Sequence, residues 1–141
     1  MSGRDWRSFG RFHTKLYRLL GGRFVGSLGA GRKVLLLTTT GRKSGLARTL
    51  PLIFMAHEGR YIVYASNGGQ ESPPAWWLNL CANPEASVQI GTRSESVVAR
   101  ALSKAEYDSV WPKAAAYNSH WRGYRQNVKR EIPLVALEPR P

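Results

Sequence analysis

Apolar and polar positions along this chain follow two periods, and the switches between them mark its elements. Trp6, Phe9, Phe12, Leu16, Leu19 and Leu20 recur at spacings of three and four, and Arg4, Arg7, Arg11, Lys15 and Arg18 do the same. At about 100° per residue the two sets point in nearly opposite directions, so residues 1–20 read as a basic amphipathic helix. Such a helix docks its apolar stripe on its own domain, or lies aromatic face down on an anionic membrane. Five glycines between Gly21 and Gly31 then read as a loop. Its Gly26-Ser-Leu-Gly29-Ala-Gly31 is no dinucleotide fingerprint, because a strand follows where a helix should begin.

From Lys33 the pattern becomes that of strands. Residues 33–39, 50–55 and 60–66 are apolar and β-branched runs, separated by a basic Gly-bearing stretch and by Glu58-Gly59. Asn67-Gly68-Gly69 breaks the third run. Ser72-Pro73 reads as a helix start, with Ser as the cap, and the helix through Ala75–Cys81 stops by Asn83-Pro84. Residues 86–91 and 96–102 form a further strand pair joined through Gly91-Thr-Arg. Ser103 and Glu106 form a capping box for a second helix, which Trp111-Pro112 is expected to interrupt and which ends near Tyr117. Residues 117–130 are aromatic and basic with little periodicity, and read as a loop that caps a pocket or as an irregular solvated segment. Residues 132–138 are a closing strand with Pro133 at an edge or bulge. Short hairpins without βα alternation exclude a doubly wound sheet and imply an antiparallel one.

Composition narrows this picture. The 141 residues suffice for one domain with a real core, and 43% hydrophobic content with five Trp argues for a folded globule. The net charge of +12 is uneven, with twelve basic and two acidic residues in positions 1–60. Such an excess attracts anions: nucleic acid, an anionic membrane or a polyanionic small molecule. Nucleic acid is the weakest of these, because no recognition motif accompanies the charge. Cys81 is the only cysteine, which excludes an intrachain disulfide and fits a reducing cytoplasm. No apolar run approaches a membrane span, and the start does not resemble a signal peptide.

The candidate chemistry gathers in residues 35–52. Gly41 and Gly45 bracket Arg42, Lys43 and Ser44, and Arg48 follows. Glycines let backbone amides approach a ligand, and Arg, Lys and a hydroxyl suit a phosphate or carboxylate. The same composition also makes an ordinary basic hairpin turn. On the first helix Trp76 and Trp77 point about 100° apart, so one belongs to the core and the other is free to line a pocket. Asn79, on the face of Trp76, is a satisfied buried amide or a ligand contact. His13, His57 and His120 lack metal-ligand spacing, and there is no nucleophile elbow or Walker loop. Carboxylates are few and scattered, so paired acid–base hydrolysis is excluded. A small barrel with a basic loop and aromatic walls is equipped to bind a planar anionic cofactor, which would supply the hard chemistry.

Four ordered motifs carry a resemblance. They are Leu-Leu-Thr-Thr-Thr-Gly-Arg-Lys-Ser-Gly-x-x-Arg-Thr-x-Pro-Leu, Ala65-Ser-Asn-Gly-Gly69, Pro74-Ala-Trp-Trp-Leu-Asn79-Leu-x-Ala-Asn-Pro84, and Arg130-x-Ile-Pro-Leu-Val-x-Leu-Glu-Pro139. Together they resemble the deazaflavin-dependent nitroreductase family of actinobacteria and related organisms, from about Leu16 to the end. The resemblance implies an α+β, mainly β fold: a small antiparallel split β-barrel, similar to FMN-binding split barrels, with a few helices. Residues 21–141 would form the barrel and residues 1–20 the basic helix before it. It implies hydride transfer from reduced coenzyme F420, a deazaflavin with a polyanionic tail, to a quinone or a nitroaromatic compound. A non-catalytic barrel that carries deazaflavin, or binds FMN, is the alternative.

By the same resemblance, Arg42, Lys43, Ser44 and Arg48 hold the anionic tail. Thr49, Leu50, Pro51, Leu52 and Ile53 run along the cofactor. Tyr64, Ala65, Ser66 and Asn67 lie beside the ring, and Ala75, Trp76, Trp77, Leu78 and Asn79 complete its pocket. Trp121 and Tyr124 cover the acceptor, and Ser66 or Tyr124 donates a hydrogen bond to the acceptor oxygen, with water as the proton source. Many relatives carry Lys where this chain has Asn67, and Tyr where it has Trp77; residues 117–121 also hold one residue more than the family pattern. The resemblance implies a cytoplasmic protein, monomeric or homodimeric, with possible peripheral contact at the inner face of the cell membrane, since a quinone dissolves there.

Overall fold

The computed structural model describes residues 32–140. The amphipathic stretch 1–20 and the glycine-rich loop 21–31 lie outside the described residues. Six strands close into an antiparallel barrel: β1 (Lys33–Thr40), β2 (Ala47–His57), β3 (Arg60–Tyr64), β4 (Glu85–Ile90), β5 (Arg93–Ala101) and β6 (Leu134–Pro139), in the order β1-β2-β3-β6-β5-β4. Three helices accompany them: α1 (Ala75–Ala82), α2 (Lys104–Tyr117) and α3 (Ser119–Asn127). The antiparallel pairing is that expected from the hairpin pattern, and its closure gives the mainly β, α+β barrel that the resemblance implied.

Local chemistry sets the turns. Glu58 and Gly59 both take positive φ, 52° and 75°, which suits the two-residue link that matches strand twist. Leu35 opposite Leu52 and Leu37 opposite Leu50 fix the register of β1 and β2, with Thr38 and Thr49 sharing a hydroxyl hydrogen bond of 2.8 Å. Leu35, Leu37, Ile62, Val97 and Leu134 are completely buried in one core. Each such side chain contributes about 1.5–3 kcal/mol by leaving water. β1, β3 and β6 are buried on both faces, so a register slip of one residue would misalign their packing throughout.

The structure corrects several expectations. Strand β2 begins at Ala47 and β3 ends at Tyr64, so Ser66 belongs to the turn after the sheet. Helix α1 is not capped by Ser72; its N-cap is Pro74, whose carbonyl accepts from Trp77 and Leu78. Ser72 is instead turned back onto Asn67, whose amide donates to its carbonyl at 3.0 Å. The capping box of Ser103 and Glu106 forms as expected, but Pro112 does not interrupt α2. Pro112 and Asp108, the residue one turn before it, are both exposed. The carbonyl without an N–H partner therefore sits on the solvent side, while Val110 and Ala114 hold the inner face.

Residues 117–130 are not an irregular loop. Asn118, 2% exposed, ends α2 and caps α3, its side chain accepting from the His120 amide at 3.0 Å. Trp121, Tyr124 and Val128 turn one face of α3 to the core at spacings of three and four. Arg122 and Arg125 between them are exposed, and their charges obscured that stripe.

Candidate active site

Two cavities open side by side where β2, the end of β3 and the helices meet. The first, of about 450 Å³, is lined by Leu50 and Leu52 of β2, by Ser66, Asn67 and Gly68 of the turn, and by Pro74, Ala75, Trp76 and Asn79 at α1. The second, of about 490 Å³, is lined by Val34, by Pro51 and Ile53, and by Asn118, His120, Trp121 and Tyr124. Leu52, Tyr64, Ser66 and Gly68 belong to both, so the two form one groove with a shared wall. The period-two alternation of β2 divides its side chains between the two halves.

The first half is tied together by backbone hydrogen bonds. Asn79 is buried; its amide donates to the Thr39 hydroxyl at 3.1 Å and its oxygen accepts from the Arg42 amide at 3.0 Å. A satisfied amide thus anchors the β1–β2 turn onto α1 while also lining the groove. The turn itself closes through Gly41 donating to Leu46 and Gly45 donating to Gly41, both at 2.8 Å. A Cβ on Gly41 would lie 2.6 Å from the Ser44 hydroxyl and 3.2 Å from the Leu46 carbonyl oxygen, so a larger residue there would push the Ser44 side chain out of the turn. Ser44 accepts from the Leu46 amide and from Arg48 at 3.1 and 3.4 Å, which leaves its proton to donate elsewhere. Arg42, Lys43 and Arg48 are exposed, and among the described residues no carboxylate forms an ion pair with them.

The second half is held by aromatic packing. Tyr64 contacts Trp121 at 5.8 Å and Trp111 at 5.2 Å between ring centres, and Tyr107 stacks on Trp111. Arg125 lies over the Trp111 ring at 4.7 Å. Burial, then the hydrogen bond with the Tyr107 hydroxyl at 3.2 Å, push the Tyr64 phenol well above its ordinary range. Gly69, at φ 86°, brings its backbone against the ring of Tyr124.

Of the residues singled out from the sequence, Leu50, Pro51, Leu52, Ile53, Tyr64, Ser66, Asn67, Ala75, Trp76, Asn79, Trp121 and Tyr124 line the groove. Arg42, Lys43, Ser44, Arg48 and Thr49 lie on the adjoining turn and strand start. Ala65 is fully buried with its amide donating to Pro133, and Trp77 and Leu78 line neither half. Trp76, the buried member of the tryptophan pair, is the one that faces the groove. Sequence reasoning missed His120, which shares the second half, and Arg130. Arg130 donates to the carbonyls of Ala65, Ser66 and Gln70 at 3.0, 3.2 and 3.2 Å and so clasps the turn that carries Ser66. The motif that begins at Arg130 held that signal, without saying which backbone it would reach. No group of three potential metal ligands exists among the described residues.

The residues present suit a flat anionic cofactor. The groove offers apolar strand residues and the Trp76 ring for a planar system, and its rim offers exposed cations beside a tight glycine turn.

Comparison with known proteins agrees with this geometry. A family model described as F420H(2)-dependent quinone reductase matches residues 9–139. An F420H(2)-dependent quinone reductase of Mycobacterium tuberculosis is 31% identical over 133 residues, covering 92% of this chain and 89% of that protein. A solved structure titled as an F420-H2 dependent reductase is 36% identical, with a TM-score of 0.69 over 75% of this chain and 94% of the other. Another, described as a domain-swapped dimer, is 32% identical with a TM-score of 0.69 over 95% of this chain and all of the other, 100%.

Proposed function

The chain belongs to the F420H(2)-dependent quinone reductase family, and we propose that it reduces a quinone or a nitro compound with a hydride from reduced coenzyme F420. The observation that carries this reading is the shared wall of Leu52, Tyr64, Ser66 and Gly68. Two flat molecules, one in each half, would meet across it. When bound, the reduced deazaflavin supplies the hydride, and the chain supplies binding, orientation and exclusion of water.

Arg42, Lys43 and Arg48, with the Ser44 hydroxyl, hold the cofactor's anionic tail by charge-assisted hydrogen bonds. Leu50 and Leu52, following Thr49 on the strand, run beside the cofactor, and the alternate residues Pro51 and Ile53 face the acceptor half. Tyr64, Ser66 and Asn67, with Ala75, Trp76 and Asn79 of α1, enclose its ring. Trp121 and Tyr124 cover the acceptor, and Ser66 or Tyr124 donates a hydrogen bond to the oxygen where charge develops. Two of the relatives reported above are named for F420H2, and none is named for FMN. The domain-swapped relative supports a homodimer for this chain as well. The basic amphipathic pattern of residues 1–20 supports peripheral contact with an anionic membrane; no described helix is long and apolar enough to cross one.

Fluorescence titration with oxidised F420, with FMN as control, tests the cofactor. Reduction of menadione and of a nitroaromatic by the loaded protein tests the reaction. Selective deazaflavin binding with turnover is the expected result. Binding without turnover would make the barrel a carrier, and binding of FMN alone would overturn the cofactor assignment.

A further inference from the structure

We propose that His120 is the general acid that protonates the acceptor as it is reduced. The inference rests on the reductase reading of the groove. His120 lines the acceptor half together with Trp121 and Tyr124. Its backbone N–H donates a hydrogen bond to the buried Asn118 side-chain oxygen, and its ring lies 28° from parallel to that of Tyr124, with centres 6.5 Å apart.

Hydride addition to a quinone leaves negative charge on an oxygen, which must take a proton. Serine is a weak acid, so Ser66 is suited to donate a hydrogen bond rather than a proton. Tyr64 is already bonded to Tyr107, and burial makes it hold its proton more tightly. Imidazole is the side chain that exchanges a proton with water near neutral pH. His120 is also exposed, so water can recharge it between turnovers. The titratable groups that share its cavity are Tyr64 from β3 and Tyr124 from its own helix; β1 and β2 present Val34, Pro51 and Ile53. Among the described residues, no carboxylate lines that cavity to compete for the proton.

The step balances simply. The quinone gains a hydride, two electrons with one proton, from the reduced cofactor, which becomes oxidised. The His120 imidazolium gives the second proton to the anionic oxygen, the product is the hydroquinone, and the neutral imidazole regains a proton from water.

The test uses the full chain loaded with F420 and the His120→Gln variant. The acid must be protonated to act, so wild-type kcat/KM for menadione should fall as pH rises. In His120→Gln that decline should vanish and turnover should drop about 100-fold, the lower end of what general acid catalysis contributes. Affinity for oxidised F420, read by fluorescence, should stay the same. With oxidised F420 bound, menadione should shift the His120 ring-proton NMR resonance, assigned by His120→Gln or by elimination with His13→Gln and His57→Gln. An unmoved resonance, or an unchanged pH profile in the variant, overturns the proposal. A wild-type protein that binds F420 and reduces menadione while His120→Gln does the same sinks this inference alone. A wild type that does neither sinks the reductase reading, and the inference with it.

Discussion

The two halves of the groove are built by different means. The half against α1 is set by hydrogen bonds to backbone: Asn79 to the Arg42 amide, the closed glycine turn, and Arg130 on the Ala65, Ser66 and Gln70 carbonyls. The half against α3 is set by ring contacts among Tyr64, Trp111 and Trp121, with the Tyr124 ring between His120 and Gly69. Hydrogen bonds fix position and tolerate little change, whereas ring packing accepts another ring of similar size. That suits a constant cofactor on the first side and a variable acceptor on the second. Substitutions on the first side should therefore damage stability and cofactor affinity together, and those on the second should separate them.

The largest effect is expected at Asn79. Asn79→Ala removes the partner of the buried Thr39 hydroxyl and of the Arg42 amide at once. It should cost about 2–3 kcal/mol in urea unfolding and weaken F420 binding. A stable variant with normal affinity would show that the turn holds its shape unaided, and the contrast between the halves would collapse.

Next in size is the rim. Arg42→Ala with Lys43→Ala should weaken F420 affinity roughly 10- to 100-fold at low salt and flatten its salt dependence, with the unfolding midpoint unchanged. These side chains are exposed and make no ion pair among the described residues, so folding should not feel their loss. Unchanged affinity would move the anionic tail elsewhere.

These two sites also mark what the sequence could reveal. The barrel was legible because strand period, glycine turns and the Ser103–Glu106 box are local signals, readable within a few residues. The basic turn was legible for the same reason. Asn79 stayed ambiguous because its partners stand 37 and 40 residues away, and only the closed fold chooses between core amide and ligand contact. Helix α3 was misread because its inner stripe of Trp121, Tyr124 and Val128 is interleaved with arginines, glycine and glutamine that hide the period. His120 escaped notice with it, since a histidine at no metal-ligand spacing carries no meaning until a cavity is placed beside it. Ser72-Pro73 shows the opposite failure: a good local cap signal that goes unused, because Asn67 ties Ser72 into the preceding turn and the helix starts behind Pro74.

On the acceptor side, Gly69→Ala should have a more selective effect. A Cβ there would lie 2.9 Å from the Tyr124 ring, at a φ of 86° that side chains rarely adopt. The ring must shift, so the menadione KM should rise several-fold while F420 affinity holds, with about 1–2 kcal/mol lost in stability. If F420 affinity fell as much as acceptor binding, the two halves would not be separable.

The smallest effect belongs to the wall they share. Tyr64→Phe removes one hydroxyl contact with Tyr107 and should cost about 1 kcal/mol or less at neutral pH. Its signature is at high pH. The native phenol is held well above the ordinary value of 10.0, so the native state keeps its proton where the unfolded chain releases it. The stabilisation is complete below that value and drains away as pH rises above it, since the unfolded state then binds fewer protons. Wild type should therefore lose more stability than Tyr64→Phe between about pH 8 and about pH 11, measured by urea midpoints. Tyr61 and Tyr117 are raised in the same direction, but both proteins carry them, so the difference between the two curves reports Tyr64 alone. Parallel curves would mean that the shared wall is open to water, and that neither half of the groove excludes solvent from the transferred hydride.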